Sequence, residues 1–381
     1  MRADNLGGRP SKQAVVLFLT LTLIGGVAVV AGFILTPSRT WINMLLASNF
    51  LVGLGLGGLL LLALHYVTGA RWSSPLRRVP EAMTAVLPVA AVGLIAVLLF
   101  CPSLFSAPAS AELSESPLHR FWHNRGFFFA RSLVYLAVWI TFAVAIVGNS
   151  RRQDEDSSAG PTDKNRRLSA LFLVVFGVTC WLSSLDWLMS LQREWTSTMF
   201  AVYNFAGLFL SALAAEVILV IWLSRHGPLR AVVNKNHLHD LGTLLFSFSC
   251  FWMYTWYCQY MLIWYVNNPE ETSYYRVRSQ HNWPAWLFLD LALNWAIPFV
   301  VLLFRSAKRN PWLLGSVALL VLVGRWVDLS LMILPTQTDE SSLPGLLEAG
   351  FLLGSVGVLV LVFLRSLHKA PIVPHEGPWH S

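Results

Sequence analysis

The sequence predicts an all-α integral membrane protein of ten transmembrane helices, arranged as two four-helix bundles (spans 2–5 and 6–9) flanked by spans 1 and 10. Three observations predict it. Hydrophobic residues make up 55% of the 381 and charged residues only 12%, with 17 Trp, a balance typical of membrane chains. The apolar residues fall in runs of about twenty or more, enough to cross a hydrocarbon core of roughly 30 Å. Lys and Arg occupy alternate short connections, nineteen on the side of both termini against six on the other, which places both termini in the cytoplasm. The net charge of +7 is thus explained by membrane orientation, and nucleic-acid binding is set aside.

Residues 1–13 form a basic cytoplasmic tail. The run 14–35 is too long for a signal-peptide core and lacks an Ala-x-Ala cleavage site, so it is a retained first span. Further spans are expected at 41–67, 82–101, 127–149, 168–190, 197–223, 241–265, 284–304, 311–333 and 345–364, followed by a cytoplasmic tail at 365–381. The first bundle then covers 41–190 and the second 197–333. Pro102–Leu118 is expected to be an outer loop with a short interfacial helix. Ser150–Arg167, mixed in charge and broken by Gly160-Pro161, is expected to be a disordered cytoplasmic loop. No connection is long enough for a soluble domain, so any large catalytic domain must come from a partner. A short internal repeat relates Leu185-Asp186-Trp187-Leu188-Met189 to Val327-Asp328-Leu329-Ser330-Leu331-Met332, four spans apart.

Several motifs carry no chemistry. Gly53-x-Gly55-x-x-Gly58 matches a dinucleotide fingerprint literally, but it lies inside an apolar helix with no strand before it. It and the series Gly207, Ser211, Ala215 indicate close helix packing through small residues. The four cysteines (Cys101, Cys180, Cys250, Cys258) form no Cys-x-x-Cys pair, so neither a metal site nor a disulfide framework is expected. A membrane haem needs facing axial ligands within the bundle. The histidines lie in loops or near helix ends, His65 coming closest, so no haem and no other cofactor is expected on this chain.

The informative residues are ionisable or amide groups inside the spans, each costing about 2.5–3.5 kcal/mol at a helix centre unless it faces protein or water. Toward the outer face lie Arg131, Asp186, Gln259, Asp290, Asn294, Arg325 and Asp328, with His123 above them. Toward the cytoplasm lie Glu216, His65, Asp240, His237 and His239. Asp290 and Asn294 are four apart and share a helix face; Arg325 and Asp328 are three apart and can pair. Two accounts of the outer group stand side by side. In one, Arg131 and Arg325 neutralise aspartates as buried pairs that lock the bundles. In the other, Asp186, Asp290 and Asp328 handle protons, while His123, Arg131, Gln259, Asn294 and Arg325 line a quinone site. Two Arg against three Asp leave one carboxylate without an obvious cation. Glu216 has no intramembrane base on its own helix, and burial without a counter-charge favours the proton-carrying form. It is therefore a proton-relay candidate, with His65, His239 and Asp240 to supply it.

The stretch His237–Thr272 carries a resemblance. It contains His239-Asp240-Leu241-Gly242-x-Leu244-Leu245-Phe246-x-Phe248 and Gln259-Tyr260-x-Leu262-Ile263-Trp264-Tyr265-x-Asn267-x-Pro269-Glu270-Glu271-Thr272. Between them its aromatic residues thicken toward the acidic end, as at a membrane interface. These motifs, with Ser184–Ala214, Arg325–Pro335 and Phe121–Arg131, resemble the smaller membrane subunit of alternative complex III, a relative of the polysulfide-reductase (NrfD-type) membrane proteins. The resemblance implies a subunit of a bacterial inner-membrane quinol oxidoreductase that passes electrons to cytochrome c or an oxidase. It implies partners carrying haem c and iron–sulfur clusters: a multihaem cytochrome c, a mono-haem cytochrome c and an iron–sulfur subunit, beside a larger sister NrfD-like membrane subunit. Within that assembly this chain is expected to contribute proton conduction and scaffolding, with quinone near Asp186, His123 and Arg131 as an open alternative. An independent secondary transporter and a purely structural anchor are the rival readings.

Overall fold

Why the apolar runs become helices is plain from the solvent they are built for, since only a helix satisfies its own backbone in hydrocarbon. The computed structural model describes residues 12–105, 121–122, 124–155, 160–192, 195–226, 228–337 and 344–369, and its regular elements there are all helical. They are α1 (Lys12–Leu35), α2 (Pro37–Thr68), α3 (Arg78–Met83), α4 (Leu87–Phe100), α5 (Arg125–Glu155), α6 (Gly160–Trp187), α7 (Phe200–His226), α8 (Lys235–Val266), α9 (Pro269–Arg278), α10 (Trp283–Leu291), α11 (Ile297–Leu302), α12 (Arg305–Arg309), α13 (Pro311–Ile333) and α14 (Leu346–Leu367). Short turns make α3–α4 and α10–α11 continuous as single spans.

Nine helices among the described residues are long and apolar enough to cross a membrane. The fold is that of an all-α, multi-pass membrane protein. Ten were expected, and the helix outside the nine is α8. Between Leu241 and Val266 it carries no formal charge, but Trp, Tyr, Ser and Thr fill it and lower its hydropathy. Its ends are nonetheless well made. The Asn234 side chain accepts from the amides of Asn236 and His237, and His237 Nδ1 accepts from the Asn234 amide in return. This reciprocal cap satisfies amides that a helix start leaves orphaned. At the other end Asn267 turns left-handed, φ 52°.

α2 and α7 form the centre. α2 packs on α4, α6 and α7, while α7 packs on α2, α8 and α13; α1 runs along α14 at the edge, and α5 along α6. The glycines of α2 set these approaches. A Cβ at Gly57 would collide with that of Ala212 on α7, one at Gly55 would lie 2.8 Å from Val86 Cγ1, and one at Gly58 2.9 Å from Met83 Cβ. Gly53 lies opposite Leu208, so α2 and α7 run parallel and in register. The packing role read for these glycines is what the geometry shows.

The expectation of a disordered loop over Ser150–Arg167 is overturned. α5 continues to Glu155 and α6 begins at Gly160; only residues 156–159 fall outside the described part. The cause is a buried ionic network that charge counting alone assigned to loops. Arg78 Nη1 pairs with Glu81 at 2.5 Å and its Nη2 with Asp154, Arg77 donates to Gln153 at 3.2 Å, and Ser150 donates to Glu81. Gln153 then donates to Thr162 of α6 at 2.5 Å. The charge-assisted pairs hold the end of α5, and the Gln153–Thr162 bond ties it to the start of α6. A second such anchor, Glu348 of α14, accepts from Arg39 and Asn43 of α2, both at 2.8 Å. The interfacial helix expected within Pro102–Leu118 lies mostly outside the described residues; Pro102–Phe105 form one tight turn.

Candidate functional site

Each half of the chain buries one Asp between an Arg and a Tyr. In the first half, Asp186 near the end of α6 faces Arg131 of α5. Arg131 Nε donates to Oδ2 at 2.7 Å and Nη2 to Oδ1 at 2.6 Å, a fork matched to the carboxylate. The Tyr135 hydroxyl, one turn along α5, donates to the same carboxylate at 3.1 Å. Arg131 gives its remaining Nη1 to the Trp122 carbonyl at 2.5 Å and lies 4.5 Å from that ring's centre. His123, expected above this group, lies outside the described residues.

In the second half the pairing read from the three-residue spacing is present. Arg325 Nη1 donates to Asp328 Oδ2 at 2.6 Å, and the Tyr203 hydroxyl of α7 donates to Oδ1. Arg325 Nη2 donates to Asn204 Oδ1 at 2.6 Å, and Asn204 Nδ2 donates to Ser184 of α6 at 2.9 Å. This chain of bonds ties α13 through α7 to α6, across the two halves. Gly207 makes room for it, because a Cβ there would collide with Arg325 Nη1 and lie 2.9 Å from Asp328 Oδ2.

The third Asp sits one turn before a helix fault. Pro298 has no N–H, so the carbonyl of Asn294, four residues back, has no helical donor. Ser249 of α8 supplies one at 2.6 Å. Just before the proline, residues Ala292–Ala296 widen into a π-turn, in which the Ile297 amide reaches five residues back to the Ala292 carbonyl. Asp290 and Asn294 turn inward, each 1% exposed, and Asn294 Nδ2 donates to Asp290 Oδ1 at 2.7 Å. Asp290 Oδ2 has no hydrogen-bond partner among the described residues. Asp290 is therefore the carboxylate left over from two Arg and three Asp, and it lies within electrostatic reach of Asp328 and Arg325.

Above this group lies α9, outside the nine spans. Its Arg278, 2% exposed, donates to the Leu331 and Met332 carbonyls at 2.7 and 3.1 Å, capping the end of α13. Its guanidinium lies 3.4 Å from the centre of the Tyr274 ring. Burial raises the Tyr274 pKa, with Arg278 opposing, and holds Tyr275 well above the ordinary tyrosine range. Both hydroxyls thus remain hydrogen-bond donors through neutral pH. Gln259 of α8, 2% exposed, has no partner for its Oε1 among the described residues.

The inner candidates do not form one cluster. Glu216 on α7 is 1% exposed, and neither of its carboxylate oxygens has a hydrogen-bond partner among the described residues. The Gly53–Leu208 and Gly57–Ala212 pairs set it level with Leu61, one turn before His65 on α2. His239 and Asp240 stand together at the start of α8, Nδ1 to Oδ1 3.5 Å, partly exposed. They do not hydrogen-bond to Glu216. His237 serves the helix cap.

Among the described residues no three His, Cys, Asp or Glu side chains converge to hold a metal ion. Sequence reasoning missed Tyr135, Tyr203 and Asn204. The signal for Asn204 was available, an amide within an apolar span; a Tyr there looks like any interfacial aromatic. Fold and site define a multi-pass helical membrane protein with ionisable groups sealed in its interior. No protein-family model matches the chain, and no curated protein matches it.

Proposed function

We propose that this chain is a membrane subunit of a respiratory quinol:electron-acceptor oxidoreductase, binding no cofactor itself and conducting protons for partners that carry haem c and iron–sulfur clusters. In this reading α8 is the tenth span, residues 41–190 and 197–333 form the two bundles, and both termini face the cytoplasm of a bacterial inner membrane. The larger sister membrane subunit oxidises quinol, and this chain couples that reaction to proton movement while holding the assembly together. The motif resemblance of His237–Thr272 supplies the enzyme class. The observation that carries proton conduction is Glu216, sealed within α7 with both oxygens unpartnered among the described residues. A carboxyl kept at such cost has one property that an amide of the same shape lacks, the gain and loss of a proton. Asp290, with one oxygen unpartnered beside the Arg325–Asp328 pair, is the matching group on the outer side.

Glu216→Gln tests the reading. In vesicles containing the assembled complex, this variant should assemble like the parent and lose most of the proton uptake that accompanies quinol oxidation. Parental uptake in the Gln variant would make Glu216 a packing residue. A second reading, an independent secondary transporter, draws on the two interrupted spans, since transporters place substrates beside broken helices. One is tightened at Thr84–Val86 before Pro88, the other widened at Ala292–Ala296 before Pro298. Purification in mild detergent followed by a haem stain separates the two, because only the first expects c-type cytochromes to copurify.

A further inference from the structure

We propose that the junction of α2, α6, α7 and α13 holds a resident water molecule, bound between Asn49 and Ser183 beside Arg325. A cavity at this junction leaves about 20 Å³ for the centre of a water molecule. One water needs roughly 10–15 Å³ by that measure and two to four polar partners, whereas cavities that stay dry are apolar. The walls supply the partners, with Asn49 from α2, Ser183 and Ser184 from α6, Asn204 from α7 and Arg325 from α13.

The bonding capacity of these groups is not used up. Ser183 donates its proton to the Cys180 carbonyl at 3.1 Å and keeps two lone pairs. Asn49 donates one N–H to the Leu45 carbonyl at 2.9 Å and keeps the other beside its own carbonyl oxygen. A water between them can donate to Ser183 or Asn49 and accept from Asn49 or Arg325. The rest of the wall is formed by apolar and aromatic side chains of α2, α5, α6 and α7, Trp139 and Trp187 among them.

Gly53 makes the idea testable. A Cβ there would meet only Leu208 Cγ, at 3.6 Å, an ordinary contact, so Gly53→Ala can keep the helices where they are while its methyl takes the cavity's space. X-ray radiolytic footprinting of the full chain in oxygen-18 water marks side chains next to bound water. Trp139 and Trp187 line the cavity, and Trp283, 1% exposed and not part of its wall, is the dry reference. The parent should label Trp139 and Trp187 several-fold above Trp283, and Gly53→Ala should lower them to its level. Labelling of the parent no higher than Trp283 overturns the water site.

Discussion

Asp186 and Asp328 are each held by one Arg and one Tyr hydroxyl, yet the two sites balance charge differently. Arg131 reaches Asp186 from a neighbouring helix, keeps 10% of its side chain exposed, and has the Trp122 carbonyl and ring as further partners. Arg325 and Asp328 are neighbours on one helix, 4% and 0% exposed, and a second acid, Asp290, lies within reach with no cation of its own. The first site is a clamp between α5 and α6 with equal and opposite charges. The second has one more acid than base, and the spare acid is held by an amide. Similar residues thus give a balanced ion pair in one half and, in the other, a pair beside a further carboxyl with one unbonded oxygen among the described residues.

The largest effect that could break this contrast is expected from Asp328→Asn. It strands the buried Arg325 guanidinium, a loss of about 3–5 kcal/mol, seen as a collapse of folded protein in fluorescence-detected size exclusion. Asp186→Asn should cost clearly less, because Arg131 can turn to the rim. Equal losses would mean that the two sites are the same kind of device. A smaller penalty, about 1–3 kcal/mol as for other overpacked cores, is expected from Gly207→Ala, whose methyl would push into the Arg325–Asp328 pair. Its thermal midpoint in detergent should fall, and an unchanged midpoint would show that the pair does not depend on the bare backbone of α7. The smallest change in stability should come from Asp290→Asn, which strands no cation and keeps an oxygen for Asn294. That variant should keep its midpoint and lose proton uptake; a drop as deep as that of Asp328→Asn would make Asp290 structural.

Much of this was legible in the residues because membrane helices are read from length and charge. The Arg325–Asp328 and Asp290–Asn294 contacts follow from helical spacing alone. Partners from distant helices do not, which is why Tyr203, Asn204 and the Glu348–Arg39–Asn43 anchor escaped notice. Arg77, Arg78 and Asp154 were hidden for another reason. Their positions between apolar runs suggest solvent, and only the fold shows that they bury one another. α8 shows the opposite limit. Its motif is the most informative stretch of the chain, but its aromatic content holds it below the hydropathy that marks the nine candidate spans. His65 and Asp240 were grouped with Glu216 by depth, and helix register alone sets only His65 within a turn of its level.

The widened turn at Ala292–Ala296 amounts to one surplus residue in the helix, and it takes that residue up without turning either flank. Each residue advances an α-helix by about 100°, so a residue added to regular winding would turn everything beyond it by that angle, whereas the wide turn absorbs it locally. Deleting one residue within Ala292–Ala296 should therefore restore regular winding and leave Asp290 facing Asp328, and the thermal midpoint should change little. A second deletion in the same stretch, with no surplus left to remove, should swing Asp290 away and lower the midpoint. The segment thus has a place where its length can change by one without re-aiming the acid, a property that a comparison of residue types alone does not register.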